Sequence, residues 1–364
     1  MNVEGQAVTG PSQRLNAQNA VCRSLFFDIE AAVGPDVIKT AVKELAQRSM
    51  RAGNSALSQI TTFDESLKFA LDSAPGELLW WINKALFDPV ARRNVAKIVA
   101  EKSPAKPECS DDAKALATEL ETNGIVKIPG LIRSDQVDEL RRYLISRETL
   151  VMDGPTYLNL VEDVVAAPHA LGLAMRPKLL SIVAEFLGAA PTLLQLGAWR
   201  SIPTPPQNFP PHIFHRDKDD FRACKLFLYL ADVGPENGPH VFVKRSHDPA
   251  LVKDYLTTNG MTPDLVKPLF QGDGRQHNDV IPRIFGPLVT EVYGKAGTAF
   301  LACTFGYHRG KMPTQNNRLV MEAVYGNVPF PKYVNAFSSI SLQKWPDKVA
   351  DNALTRHALR LLIA

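Results

Sequence analysis

From about residue 192 onward the chain is cut into short apolar runs, at 193–201, 225–231, 241–244, 298–304 and 319–325. Several are rich in aromatic and β-branched residues, and Pro-, Gly- and Asn-containing turns separate them. Runs of this length suit strands and are too short for amphipathic helices. A series of such strands joined by turns predicts an antiparallel β-sandwich or jelly roll.

The first half reads differently. Residues 1–20 are polar and are expected to form a weakly ordered arm. From about 36 to 104 the pattern is helical, with Ile38, Ala41, Val42 and Leu45 at helical spacing. Residues 78–87 form a second apolar stretch. Asp88 and Pro89 have the form of an N-cap followed by proline at the first helical position. The Pro-containing segment 103–109 reads as a linker. The expected organisation is therefore a helical N-terminal extension over 1–110 and a second domain over 111–364. In that domain a helix opens at Ser110 and ends at Asn123-Gly124, a short strand covers 125–129, and helices follow from Ser134 and over 177–187, the last stopped by Gly188. Residues 247–288 have little periodicity, and a segment of that length is expected to be a lid over a site.

Charge excludes some partners. The 364 residues carry 41 basic and 38 acidic side chains, net +3, too balanced to point to nucleic acid or a membrane surface. No run is long and apolar enough to span a bilayer, and the N-terminus lacks the apolar core of a secretory signal. Cys22, Cys109, Cys224 and Cys303 form no CxxC pair, which argues against a zinc ribbon or disulfide framework. A cytoplasmic protein is expected.

The chemistry centres on Phe214-His215-Arg216-Asp217. On an extended strand, residues two apart face the same way, so His215 and Asp217 can present a nitrogen and an oxygen to one ion. His308, just beyond the run 298–304, is the expected third ligand. Two histidines and one carboxylate on one side of an ion leave the opposite positions open, an arrangement suited to Fe(II) that binds a cosubstrate and dioxygen. H-x-D alone also fits a solvated loop, with Asp217 paired to a nearby base.

Arg318 opens the run 319–325 and offers a permanent planar cation for a ligand carboxylate, or alternatively a surface pair with Glu322. On the strand from Lys225, residues 225, 227 and 229 share a face. If that face looks inward, Tyr229 can donate to a cosubstrate and Lys225 can neutralise a carboxylate, whereas Phe227 reads as packing. Trp199 and Arg200 are either pocket lining or, respectively, core and surface. His212 is expected at a pocket rim and His247 in a structural turn. His169, His240, His277 and His357 have no spacing that singles them out. Trp80-Trp81 reads as core or as the contact of a homodimer.

Taken in order, these segments resemble the phytanoyl-CoA dioxygenase family of Fe(II)/2-oxoglutarate oxygenases. The resemblance runs over about 112–330. It rests on residues 123–131, on Phe214-His215-Arg216-Asp217, on 229–233 followed by Glu236-Asn237-Gly238-Pro239, on Arg245-Ser246-His247, on His308-Arg309-Gly310 and on Asn317-Arg318-Leu319. Arg245 stands where the family has glycine. The resemblance implies an α+β fold with a double-stranded β-helix (jelly-roll) core and flanking helices. It also implies Fe(II) on His215, Asp217 and His308, with 2-oxoglutarate and O2 as cosubstrates and the distal carboxylate on Arg318. The reaction would oxidise a C–H bond of a small metabolite or natural-product intermediate, releasing succinate and CO2. Because Asp217 is retained, hydroxylation is favoured over halogenation. The alternatives are a cupin-like metalloenzyme that does not use 2-oxoglutarate, for which Arg318 has no task, and a non-catalytic jelly-roll binding protein.

Overall fold

A computed structural model describes residues 11–51, 62–205, 212–261, 269, 275–276, 278–337, 340, 342 and 345–363. Five helices come first: α1 (Pro11–Val33), α2 (Pro35–Arg51), α3 (Phe63–Ser73), α4 (Pro75–Ala85) and α5 (Pro89–Lys102). Their boundaries follow from capping. Thr62 accepts from Glu65 N in a capping box, and Asp88 accepts from Ala91 N at 2.7 Å with Pro89 at the first helical position. Residues 11–20, expected to be part of a loose arm, are the first turns of α1. Their polar sequence is carried into the helix by the apolar stripe Cys22, Leu25, Phe26, Ile29 and Val33, all buried at helical spacing. The first ten residues of that expected arm lie outside the described residues.

Helix α6 (Asp111–Asn123) is capped by Ser110 and ends at Gly124, whose φ of +76° suits glycine. Strand β1 (Ile125–Lys127) and helix α7 (Ser134–Ile145) follow as expected. The helix Pro177–Leu187 ends at Gly188, φ +78°. The hairpin β2 (Thr149–Asp153) and β3 (Thr156–Asn159) has no counterpart in the sequence reading. The remaining strands are β4 (Thr192–Ser201), β5 (Ala223–Tyr229), β6 (His240–Val243), β7 (Val289–Val292), β8 (Ala299–Ala302), β9 (His308–Gly310) and β10 (Arg318–Gly326). All named pairings are antiparallel. One sheet runs β1-β8-β5-β10-β4-β3-β2, the other β7-β6-β9. The chain is thus a mixed helical and antiparallel-sheet protein.

The large sheet alternates with period two. Cys224, Leu226 and Leu228 on β5 and Leu319, Met321 and Ala323 on β10 face the main apolar core. Lys225, Phe227 and Tyr229, with Arg318, Val320 and Glu322, face the other way, into a cavity shared with the small sheet. The main core is continuous with the N-terminal helices, since Phe26, Leu79 and Ile82 belong to the same buried cluster as Leu226 and Met321. Within 247–288, Pro249–Thr258 and Val280–Phe285 are helical, and residues 262–268, 270–274 and 277 of the expected lid lie outside the described residues. No described helix is long and apolar enough to cross a membrane.

Candidate metal centre

His215 and His308 face each other across a short antiparallel bridge. His215 N donates to His308 O at 3.0 Å, and His308 N donates to His215 O at 3.1 Å. Asp217 N donates to Thr304 O at 2.7 Å, which holds the next turn of chain in place. Nδ1 of His215 lies 2.8 Å from Ile213 O and Nδ1 of His308 lies 3.0 Å from Gly306 O. A carbonyl only accepts, so each Nδ1 carries a proton and each Nε2 is the ring nitrogen turned to the site. Those two nitrogens stand 3.6 and 3.3 Å from the two oxygens of Asp217. One ligand atom from each of the three residues lies within 4.8 Å of the others. Burial and the neighbouring His308 push His215 down to about 4, so its ring is neutral and ready to ligate. This donor set, two imidazoles and one carboxylate, fits a divalent transition metal.

Asp217 is fixed from behind. Lys225 Nζ donates to its Oδ2 at 2.7 Å and also contacts Asp219 at 3.0 Å and Glu322 at 3.8 Å. Burial works to raise the Asp217 carboxyl, but Lys225 and His308 hold it well below the usual carboxylate range. Burial would lower Lys225, and the three carboxylates hold it well above the usual lysine value. The face of β5 does look inward, and the carboxylates that Lys225 neutralises are the protein's own.

The chain after Asp217 is clamped by the N-terminal helices. Lys218 is buried, with Nζ donating to Lys84 O at 2.5 Å and lying 3.2 Å from the Phe87 ring centroid. Asn83 donates to Lys218 O at 2.9 Å. Arg92 donates to Asp220 O at 2.6 Å, to Asn83 Oδ1 at 2.9 Å and to the carbonyls of Asn83 and Leu86. Asp220 accepts from the backbone N–H groups of Phe221, Asn327 and Val328.

The cavity beside the triad has a volume of about 260 Å³. Arg318 lies in it, 5% exposed, and makes no ion pair among the described residues, Glu322 included. It donates to Gly238 O at 2.5 Å and to Ser201 Oγ at 3.3 Å, and its Nε has no partner among the described residues. From Ser201 a directed chain continues. Ser201 Oγ lies 3.3 Å from Thr156 Oγ1, which lies 3.1 Å from His212 Nε2, and His212 Nδ1 donates to Gly310 O at 2.7 Å. His212 is therefore a buried member of the cavity wall, not its rim.

Tyr229 faces the same cavity, but its hydroxyl donates to Val292 O at 2.9 Å and accepts from His240 N at 3.0 Å. Trp199 lines the cavity, and Arg200, one residue on, lies over the Tyr157 ring instead. Phe227 also lines it, stacked on Phe300 at 5.2 Å. His247 bonds Glu121 O at 2.8 Å, as a turn residue would. Trp80 packs edge-on against Phe330 and Tyr333. Two cavity residues carried no sequence signal. His240 stacks on His308 and lies tilted against Phe227, with Nε2 unpartnered among the described residues. Glu322 is 4% exposed, and burial pushes its carboxyl up to about 7 although Lys225 draws it down.

No protein-family model matches the chain, and no curated protein matches it either. Solved structures do. HygX from Streptomyces hygroscopicus with nickel and 2-oxoglutarate bound is similar at 18% identity and TM-score 0.43, over 67% of this chain and 95% of that one. The epimerase SnoN in complex with Fe3+, alpha ketoglutarate and nogalamycin RO is similar at 20% identity and TM-score 0.45, over 66% and 92%. EctD from S. alaskensis with 2-oxoglutarate and 5-hydroxyectoine is similar at 17% identity and TM-score 0.43, over 62% and 82%.

Proposed function

We propose that this protein is an Fe(II)/2-oxoglutarate-dependent oxygenase with a double-stranded β-helix core, oxidising a C–H bond of a small molecule. Two features support the reading together. His215, Asp217 and His308 offer three ligands on one side of an ion, which leaves the cavity side open. Arg318 is the observation that carries the cosubstrate. A buried guanidinium without a carboxylate partner is costly, because its desolvation is not offset by a counter-charge. A dicarboxylate in the cavity supplies that counter-charge, and the planar guanidinium suits a carboxylate better than an ammonium would.

When bound, iron with 2-oxoglutarate and O2 supplies the oxidising power, with succinate and CO2 as by-products. The protein's own residues position and exclude. His215 and His308 hold the metal through Nε2, their Nδ1 protons being fixed on Ile213 and Gly306. Lys225 keeps one Asp217 oxygen occupied and so orients the other. Gly238, Ser201, Thr156 and His212 hold the guanidinium of Arg318 in place. Trp199, Phe227 and Val320 give the cavity an apolar wall for a substrate. In this reading Tyr229 contributes its ring to the wall beside the cosubstrate.

The test is anaerobic addition of Fe(II) and then 2-oxoglutarate, watched for the weak visible charge-transfer band of the chelate. A band in wild type that is lost in Arg318→Ala is expected. Iron binding without a band would overturn the cosubstrate assignment and leave a metal centre of the cupin-like kind. Failure to bind iron would remove the triad assignment.

A further inference from the structure

The cavity is electrostatically polar along β10. Arg318 and Glu322 share one strand face four residues apart, roughly 13 Å at the usual rise. The cosubstrate accounts for the Arg318 end. Nothing in the proposed reaction accounts for Glu322, a buried carboxylate that lines the cavity and makes no hydrogen bond among the described residues. Its ionic contact, Lys225 Nζ at 3.8 Å, is already engaged by Asp217 at 2.7 Å and Asp219 at 3.0 Å. Lys225 thus faces three carboxylates, of which Asp219 also meets Lys332 Nζ at 3.2 Å and the Tyr333 hydroxyl at 2.8 Å, and Glu322 holds the weakest share.

The register partner of Glu322 on the adjacent strand β4 is Gly197, between the cavity residues Gln195 and Trp199, so these side chains share one face of the sheet. A Cβ built on Gly197 would stand 3.6 Å from the Trp199 ring and 3.8 Å from Nε2 of Gln195, so both side chains lean over the glycine beside Glu322. This part of the cavity is bounded by an indole, an amide and a carboxylate. That combination favours a cation, through a charge-assisted hydrogen bond to the carboxylate and attraction to the indole face.

We propose that Glu322, with Gln195 and Trp199, forms a specificity subsite for a positively charged amine of the substrate. The inference rests on the oxygenase reading and narrows it to amine-bearing substrates held at the end of the cavity opposite Arg318.

The test uses the protein loaded with Ni(II) and 2-oxoglutarate, with benzylamine and its neutral isostere benzyl alcohol as probes, followed by ligand-observed NMR. Benzylamine is expected to bind at least about tenfold more tightly than benzyl alcohol. Glu322→Gln is expected to erase that preference while Ni(II) and 2-oxoglutarate affinities stay within about twofold, and to raise the melting temperature of the ligand-free protein by a few degrees, since one surplus buried charge is gone. Gly197→Val is expected to weaken both probes by displacing the Trp199 ring and the Gln195 amide that lean over the glycine. Equal affinities in wild type, a preference that survives Glu322→Gln, or no binding of benzylamine would each overturn the subsite. A rise in neither probe's discrimination nor stability, coupled to a loss of Ni(II) affinity in Glu322→Gln, would instead assign Glu322 to holding Lys225 and also overturn it. If Ni(II) or 2-oxoglutarate fails to load wild type, the oxygenase reading falls. If both load and discrimination is absent, only the subsite falls.

Discussion

Gly310 and Arg318 are packed so closely that any side chain at position 310 must displace the guanidinium. A Cβ built on Gly310 would stand 2.6 Å from Nη2 of Arg318 and 2.8 Å from Nη1. Gly310 also supplies the carbonyl that holds His212, the far end of the hydrogen-bonded chain that begins at Arg318. The glycine therefore leaves room for the guanidinium and helps to aim it.

Gly310→Ala is expected to push the guanidinium out of place and weaken 2-oxoglutarate binding by about tenfold or more, the loss of roughly one charge-assisted hydrogen bond. Metal affinity is expected to be unchanged, because His308 and its neighbours keep their backbone pairing. Calorimetric titration of Ni(II), then of 2-oxoglutarate, separates the two. Equal losses in both would show a collapsed strand rather than a displaced arginine.

Lys225→Met removes the cation from a group of three carboxylates. Breaking a buried ion pair from one side costs about 3–5 kcal/mol, and here more than one partner is left exposed to the low-dielectric interior. Urea unfolding of the metal-free protein is expected to show a loss of that size, recovered in part by adding Glu322→Gln, since Asp219 keeps Lys332 and Tyr333. A loss under about 1 kcal/mol would mean that solvent screens the group.

Metal binding is expected to stabilise the fold. At roughly one hundred times the dissociation constant, Ni(II) should add about 2.7 kcal/mol to the unfolding free energy. Asp217→Ala should remove most of that increment at the same Ni(II) concentration, and a chelator should reverse it in wild type. Thermal unfolding with and without metal checks all three.

Acid sensitivity is expected from His212. Burial and the nearby Arg318 push it down to about 4, against an unfolded value near 6.5. The unfolded chain then takes up this proton first as pH falls, so stability is lost from about 6.5 downward and the loss is complete near 4. Its size is up to about 3 kcal/mol. His212→Gln should make the stability profile less steep across that window, the remaining slope belonging to His215 and His357, which burial also pushes down to about 4. An unchanged slope would place the acid transition elsewhere.

The parts of the site that showed in the sequence are those set by local spacing. His215 and Asp217 are two apart, and the 225-227-229 face follows from the pleat alone. His308 was placed by the strand that precedes it. Glu322 was invisible because a glutamate on a strand reads as solvent-facing unless the partner strands are known, and its neighbours Gly197 and Lys225 come from β4 and β5. His240 stands at the start of β6, where a single residue has no period. The β2–β3 hairpin was missed because Leu150, Val151 and Met152 are all exposed, so no apolar alternation marks the strand. Arg92 sits on a helix where charged residues usually meet water, and only the fold brings it to Asp220.

The clamp of Asn83 and Arg92 on residues 218–220 joins the N-terminal helices to the metal motif by a few short bonds. Any opening of α4 and α5 must release the segment that follows Asp217, and any ion held by Asp217 resists that opening. By thermodynamic reciprocity, metal occupancy should slow amide hydrogen exchange in helices that contribute no ligand, and Arg92→Met should weaken metal binding from outside the cavity.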